Sequence, residues 1–319
     1  MKINLPNNTI RLPDFFIIGA AKSATTSMYR LLTKSSEIYI PPQLKEPGFF
    51  CFKGKIKKRI ENKFPDLWST SITNLRDYVS LYEKAQNNQI LGDATPEYLL
   101  FAKETIKNIS LIYRQKKKHL KFICILRNPV DRAWSHYNHM IRDNYENQSF
   151  ENAINNKIIK FRLKNGWHPA YDYLSYGLYY RNLTLYINAF GKKNIKIILF
   201  EDLSKNPSKV YSEIFKFLGK TYPRNLIESY SRKEFNKSGK IKIVWLHNLL
   251  FLRESLLKTI IRLLLPNEFL QNIKLHIMNF NLTKSKISPD QKIKLINFYK
   301  KDINLLSSLI KKDLSHWVK

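Results

Sequence analysis

The stretch Phe15-Phe16-Ile17-Ile18-Gly19-Ala20-Ala21-Lys22-Ser23-Ala24-Thr25-Thr26-Ser27-Met28-Tyr29 constrains this chain more than any other segment. An apolar run ends at a glycine, and a lysine and a cluster of hydroxyls then open an amphipathic segment. This order reads as a buried strand, an anion-binding turn and a helix. A helix start offers unpaired N–H groups and the positive end of its dipole. Lys22 adds a full charge, and Ser23, Thr25, Thr26 and Ser27 add hydroxyl donors. The spacing is not that of a Walker A loop, which places Gly-Lys-Ser/Thr after a first glycine and four intervening residues. Here Lys22 stands three residues after Gly19, and no glycine precedes it directly. The expected ligand is a nucleotide phosphate held without the ordinary Mg·ATP arrangement.

Short apolar runs alternate with helical patterns along the chain, which is the α/β signature. Strands are expected at Phe15–Gly19, Gln89–Gly92, Lys121–Leu126 and Ile195–Phe200. Helical patterns run over Thr25–Ser35, Pro129–Arg142, Leu178–Phe190 and Pro207–Leu218. Asn128-Pro129 places a capping residue before a first-turn proline. Gly191 and Gly219 follow apolar helices, where a left-handed residue is expected. From about Ile241 to Leu282 the chain is leucine-rich and reads as helical; Ser288-Pro289-Asp290 then starts a last helix to Ile310. The alternation implies a mostly parallel sheet whose ligands bind beyond the strand C-termini. Gly19 to Ser27, Asp93-Ala94-Thr95, Arg127 and Glu201-Asp202 all fall at such ends.

In the 319 residues, Lys and Arg number 55 against 25 Asp and Glu, a formal charge of +30. Such an excess favours polyanionic partners, although most of the lysines read as solvated faces. The clusters at Lys53-Lys55-Lys57-Lys58-Arg59 and Arg114-Lys116-Lys117-Lys118 lack regularly interleaved aromatics, so a nucleic-acid partner is not expected. Cys51 and Cys124 form no CxxC pair and no disulfide framework, and Cys124 sits in an apolar run as a small core residue. The first residues lack a signal-peptide core, and no run reaches the length of a membrane span, so a cytoplasmic location is expected. Leu249–Leu265 carries Arg253, Glu254, Lys258 and Arg262 and reads as an amphipathic helix. Peripheral contact with an anionic membrane is the less favoured role for it, and packing on the main domain the favoured one.

A second strand–turn–helix follows in Phe122-Ile123-Cys124-Ile125-Leu126-Arg127-Asn128-Pro129-Val130-Asp131-Arg132-Ala133-Trp134-Ser135-His136-Tyr137. Arg127 leaves the sheet at a strand end, and Ser135 lies about two turns into the helix. An arginine fork fits phosphate oxygens, and a serine can close the same site. With both segments in view, the chain resembles the sulfotransferases that use 3′-phosphoadenosine 5′-phosphosulfate (PAPS). The branch concerned contains bacterial enzymes and the heparan sulfate N- and 3-O-sulfotransferases. Further similarity lies in Lys45-Glu46-Pro47-Gly48-Phe49-Phe50, Gly92-Asp93-Ala94-Thr95-Pro96-Glu97-Tyr98-Leu99 and Tyr176-Gly177-Leu178-Tyr179-Tyr180. It continues through Ile198-Leu199-Phe200-Glu201-Asp202-Leu203 and the closing Leu309 to Trp317, so that it covers roughly residues 14–318.

The resemblance implies a P-loop-like three-layer α/β/α fold with a central, mostly parallel sheet and a helical C-terminal region. Residues 1–13 would be an N-terminal extension and 14–319 one sulfotransferase domain, with 241–285 as a helical, acceptor-side subregion. It implies PAPS as sulfuryl donor and PAP as product. Lys22, Ser23, Ala24, Thr25, Thr26 and Ser27 match the 5′-phosphosulfate loop, and Arg127 and Ser135 match the residues that hold the 3′-phosphate. Lys22 would stabilise the leaving phosphate, and Glu46 matches the family's catalytic carboxylate and general base. Asp93 or a histidine could assist it. No metal is required by this reading. The acceptor would be a hydroxyl or amine, with a glycan or glycolipid as first choice.

Departures from the family pattern fall mainly on the acceptor side. The second glycine usual in the loop is Ala24. The histidine that often follows the catalytic glutamate in the heparan enzymes is Gly48, and a lysine of those enzymes is Ala94. His136 and His139, three residues apart, read as a polar helix face rather than a metal pair. Trp134, Phe49 and Phe50 read as core aromatics, with an adenine contact from the Phe49 or Tyr179 region as a lesser reading. Two alternatives to a sulfotransferase stand. A P-loop-related Mg·ATP-dependent small-molecule or nucleotide kinase would use Asp93 or Glu201-Asp202 as its acidic strand end. A basic polyanion-binding protein without catalysis would not depend on Lys22 individually.

Overall fold

The computed structural model describes residues 2–5, 8–53, 71–221, 240–241, 282–283 and 286–319. Strands β1 (Lys2–Leu5) and β2 (Asn8–Arg11) pair as an antiparallel hairpin. The main sheet contains β3 (Phe15–Gly19), β4 (Ile38–Tyr39), β5 (Ile90–Ala94), β6 (Lys121–Leu126) and β7 (Ile195–Leu199). Its spatial order is β4-β5-β3-β6-β7, and every pairing is parallel. From β3 the chain goes first to the edge strand β4, returns to place β5 between them, and then crosses to add β6 and β7 on the other side. The C-terminal ends of β3 and β6 therefore border a topological switch point, where ligand crevices form in open α/β sheets.

The strands are mostly apolar because both faces of the sheet are covered. Phe16 and Ile18 of β3 and Phe122, Cys124 and Leu126 of β6 belong to one core cluster. Their alternates Phe15, Ile17, Ile123 and Ile125 belong to the other. The second cluster is closed by α1 (Thr25–Leu32), through Met28 and Leu31, and by the helix Pro207–Leu218, through Val210 and Ile214. The first is closed by α2 (Phe49–Phe52), the helices Ala102–Tyr113, Pro129–Arg142 and Tyr180–Phe190, and the last helix, Pro289–Ile310. This is the expected three-layer α/β/α arrangement.

Several local expectations hold for the stated physical reasons. The Asn128 side chain accepts a hydrogen bond from Val130 N–H ahead of Pro129, and Ser288 accepts one from Gln291 N–H ahead of Pro289. Gly219 ends its helix in the left-handed region at φ 69° and ψ 38°. Gly191 also has a positive φ of 84°, but its ψ of 141° leads straight into the next turn rather than into a left-handed cap. The expected helix from Ile241 to Leu282 is corrected at both ends. Lys240–Ile241 and Leu282–Thr283 are short strands that pair antiparallel, and cross-chain pairing outweighs local helical periodicity there. The residues between them lie outside the described residues. The edge strand β4 was not anticipated, because two residues carry no measurable alternation. Residues 1–13, expected as an extension, contribute Leu12 to the core, and Arg11 donates to the carbonyls of Ala85, Gln86 and Gln89.

The loop and turn residues between 143 and 173 are held by a buried ion pair. Arg162 donates from Nη1 and Nη2 to the two Glu146 oxygens at 2.6 and 2.9 Å, and Tyr173 Oη donates to Glu146 Oε2 at 2.9 Å. Burial works to raise the Glu146 carboxyl, but the Arg162 fork, Gln148 N–H and Tyr173 outweigh it and hold it below its ordinary range. The stability it contributes is therefore present at neutral pH and is lost as pH falls through that depressed value. Replacing Glu146 by Gln leaves the Arg162 charge buried without a counter-ion, and should cost about 3 kcal/mol in a denaturant titration. A loss under about 1 kcal/mol would show that the pair is open to water.

Candidate active site

β3 delivers its last residue, Gly19, against Leu99: a Cβ at Gly19 would sit 2.9 Å from Leu99 Cβ and 3.2 Å from Pro96 O. The turn beyond it stays tied to the sheet, since Ala20 N–H donates to Ile125 O at 2.8 Å. Lys22 and Ala24 both take φ of 67°, and α1 starts directly after Ala24. No side chain caps this helix. Its first N–H groups, from Thr25 to Ser27, are thus available to a ligand. Ser23 Oγ is buried and has no hydrogen-bond partner among the described residues.

These residues open into one cavity of about 480 Å³. Its lining brings together Lys22, Ala24, Thr25, Thr26 and Ser27 from the turn, Glu46 from the 45–48 loop, and Arg127 and Ser135 from the second strand–turn–helix. Of the residues singled out by sequence for the phosphate clamp and the base, only Ser23 stands behind the wall rather than on it. Arg127 donates from Nη1 to Lys22 O at 3.2 Å, and its guanidinium lies 4.7 Å over the Phe200 ring. The two strand–turn–helix segments are thereby joined at Lys22.

Lys22 stands in a strongly basic setting. Burial and then Arg142 push its ammonium down, against the pull of Asp143 and Glu46, to about 7. Lys45 donates to Thr26 Oγ1 at 3.0 Å and forms an ion pair with Glu46. The lining adds residues that the motif readings did not assign to the site: Lys45, Glu97, Arg142 and His168. Lys45 and Glu97 each lie inside a motif already recognised, so adjacency was the available signal. Arg142 and His168 carry no local sequence signal, because their contact with the cavity is purely tertiary.

Two expectations about neighbouring residues are revised, and the reading of Phe49 and Trp134 as core aromatics holds. His136 and His139 are not a solvated face: both line the cavity, and His136 is buried. Burial, followed by Arg132 for His136 and by Lys22 for His139, lowers both, so they stay neutral near pH 7. His139 Nδ1 lies 3.2 Å from Asp143 Oδ2. Among the described residues no group of three or more His, Cys, Asp or Glu is arranged to hold a metal. Asp93 is fully buried and is not a cavity residue; Tyr78 Oη, Tyr98 Oη and Thr95 Oγ1 each donate to it at 2.7 Å. Phe49 stacks on Tyr78 at 4.4 Å, Trp134 on Tyr137 at 5.6 Å, and Tyr179 Oη donates to Arg127 O, so none of the three lines the cavity. Phe200 is the aromatic residue on its wall.

Gly48 explains one departure on the acceptor side. It has φ of 64°, and a Cβ there would meet Phe52 Cδ2 at 2.7 Å. A histidine at this position would need a different backbone and a displaced Phe52 ring.

A family model described as "Sulfotransferase domain" matches residues 12–250. The membrane-associated sulfotransferase kil1 of Dictyostelium discoideum is 23% identical over 300 residues, covering 68% of this chain and 59% of that protein. Carbohydrate sulfotransferase 15 of Mus musculus is 23% identical over 247 residues, covering 65% of this chain and 44% of that protein. The chain therefore spans about half the length of these curated relatives. A crystal structure of a sulfotransferase from Alicyclobacillus acidocaldarius superposes with a TM-score of 0.70 at 25% identity, covering 97% of this chain and 100% of that one.

The left-handed Ala24 has a measurable consequence. A residue with a Cβ is disfavoured in that conformation, and glycine is not. Ala24→Gly should raise the unfolding free energy by roughly 0.5–1 kcal/mol in a denaturant titration. A loss of stability of that size would mean that Ala24 does not carry the strain.

Proposed function

The chain belongs to the sulfotransferase domain family, and from that premise we propose that it moves a sulfuryl group from PAPS to a hydroxyl or amine of a glycan or glycolipid. The observation that carries this reading is the convergence of an uncapped helix start, Lys22, Arg127, Ser135 and Glu46 on one cavity of about 480 Å³. The chemistry of this wall fits a ligand with phosphate at both ends. Free N–H groups and hydroxyls from Thr25 to Ser27, with the buried Ser23 Oγ behind them, suit one phosphate. The Arg127 fork with Ser135 suits the other. When bound, PAPS supplies a sulfuryl group that departs as its sulfur–oxygen bond to the 5′-phosphate breaks.

The chain's own residues then have separable roles. Lys22, in its charged form, offsets the negative charge that grows on the leaving 5′-phosphate. The Thr25 and Thr26 hydroxyls and the start of α1 hold that phosphate in place as the charge moves. Arg127 and Ser135 fix the 3′-phosphate and so set the position of the reacting bond. Glu46 takes the acceptor's proton. Lys45, bridging Thr26 and Glu46, ties the base to the phosphate loop.

The acceptor class draws support from the relative whose name is carbohydrate sulfotransferase 15 and from a heparan sulfate N-deacetylase/N-sulfotransferase of Caenorhabditis briggsae, 24% identical over 224 residues. The domain reading is one catalytic domain over 14–319, with 241–285 on the acceptor side. Two buried thiols and no disulfide among the described residues fit a reducing, cytoplasmic setting. Among those residues no helix is long and apolar enough to cross a membrane. The kinase alternative is less well supported, because its strand-end carboxylates are engaged elsewhere. Asp93 is enclosed by three hydroxyls, Glu201 accepts from Trp317 Nε1 at 2.8 Å, and Asp202 pairs with Lys312 at 2.7 Å.

Thermal-shift titration with PAP should stabilise the protein more than ATP with Mg²⁺ does; the reverse order would sink the sulfotransferase reading. Lys22→Ala should lower sulfuryl transfer from radiolabelled PAPS by about 10²- to 10³-fold, with PAP still bound. Arg127→Ala should chiefly weaken PAP binding. Because Lys22 is pushed down to about 7, the free protein loses this charge as pH rises. PAP binding should weaken between pH 7 and 9, by at most about tenfold per pH unit for one coupled proton. Lys22→Met should remove that slope, and an unchanged slope in the variant would assign it to another group.

A further inference from the structure

Glu97 lines the cavity with Glu46 but belongs to no role assigned above. We infer that Glu97 is a second catalytic carboxyl, which contacts the acceptor and acts with Glu46 as one pair to take its proton. This rests on the sulfotransferase reading of the same cavity.

The position of Glu97 is set by its neighbours on the chain. It follows Pro96 beyond the C-terminal end of β5 and opens the short helix Glu97–Leu100. Tyr98 is anchored by its 2.7 Å bond to Asp93, and Leu99 packs on Gly19 of β3. The residues after Glu97 are thus held by the sheet, and its carboxyl lies on a rigid wall beside the phosphate loop. Glu46, by contrast, comes from a loop, and its carboxylate is engaged by Lys45. Glu97 accepts a hydrogen bond from its own backbone N–H and forms no ion pair among the described residues. A carboxyl on the wall of a catalytic cavity without a counter-ion is available to a substrate.

The surrounding charges support the pairing. Burial, then the charge of Glu46, hold the Glu97 carboxyl well above the ordinary carboxylate range; Lys45 opposes them and Asp93 adds to them. The phenol of Tyr176 also senses Glu97. The Glu46 charge that disfavours ionising Glu97 is the physical link between the two carboxyls of this wall. In the reaction the acceptor oxygen or nitrogen forms a bond to sulfur as the sulfur–oxygen bond to the 5′-phosphate breaks. The electron pair of the broken bond goes to the departing phosphate. The acceptor's proton goes to the carboxyl pair, which later releases it to water. Loss of the Glu97 proton at higher pH makes this wall a stronger base, so turnover should rise as Glu97 ionises.

Glu97→Gln separates this role from a structural one. Glutamine removes a carboxyl whose folded-state value is raised, and stability carried by such a group is lost as pH rises through that value. The variant should therefore be at least as stable as wild type at pH 8. PAP affinity should stay within about twofold, since Glu97 is not assigned to the phosphate clamp. Sulfuryl transfer from radiolabelled PAPS to chitosan oligomers, which present both hydroxyls and amines, should fall about 10²-fold. The same loss is expected for release of free sulfate, where water is the acceptor. The acid limb of the pH–rate profile should move to lower pH, and Glu97→Asp should restore part of the rate. A stable variant that binds PAP and turns over within about threefold of wild type overturns the inference. If wild type turns over neither acceptor, infrared titration decides: a glutamic acid carbonyl band should persist above about pH 6 in wild type and vanish in Glu97→Gln. Its absence from wild type overturns the pairing. Failure of wild type to bind PAP would instead remove the sulfotransferase reading itself.

Discussion

The wall of the cavity that carries Glu46 and Glu97 depends on one buried carboxylate. Asp93, at the end of β5, receives hydrogen bonds of 2.7 Å from Tyr78, Tyr98 and Thr95. Two of those partners reach onward: Gly48 N–H donates to Thr95 Oγ1 at 3.3 Å, and Phe50 N–H donates to Tyr98 Oη at 3.4 Å. The loop that carries Glu46 is thus fastened to the end of β5 that leads into Glu97. Burial raises the Asp93 carboxyl to about 6, against the three hydroxyl bonds that pull it down. A fully satisfied network of this kind rigidifies what it touches, whereas a partly satisfied one is costly. Lys45 then joins the assembly to the phosphate loop through Thr26.

The electrostatics of the cavity follow from crowding like charges on opposed elements. Lys22, Lys45, Arg127 and Arg142 share its wall with two carboxyls. The basic group at the turn is weakened by burial and by Arg142, and the acidic group at Glu97 by burial and by Glu46. Each is displaced toward the neutral form, which is the state that an incoming charged or proton-donating partner can reverse. Perturbed groups gathered in one crevice are what distinguish a reactive site from a merely charged surface. The three cavity histidines remain neutral in the same field and offer hydrogen bonds without charge.

Much of this fold could be read from the chain because its core strands are buried on both faces. Phe15–Gly19 and Lys121–Leu126 are uninterrupted apolar runs bounded by chemical punctuation, and they fall where expected. The helices Pro129–Arg142 and Pro207–Leu218 carry their own caps, and their limits were legible for that reason. The two-residue strand β4 and the strand pair at 240–241 and 282–283 were not, since their pairing partners are far away in sequence. His136 looked like part of a polar helix face until Tyr173, Tyr176 and Arg132 closed over it. Asp93 looked like a strand-end acid open to ligand until two tyrosines from different elements covered it.

What the sequence determined by itself was local: an apolar strand, a turn without Walker spacing, a helix start with a lysine, and a second turn with an arginine. Those features were legible because each one is built from residues adjacent in the chain. Which carboxyls line the cavity, which are buried, and which cation holds which anion were decided by tertiary structure alone. The Lys45-Glu46 loop, Glu97 and Arg142 come from separate elements, and the sign and strength of the coupling between them depend on distance and burial. Neither quantity is encoded in spacing along the chain, and both appear only once the sheet brings the strand ends together.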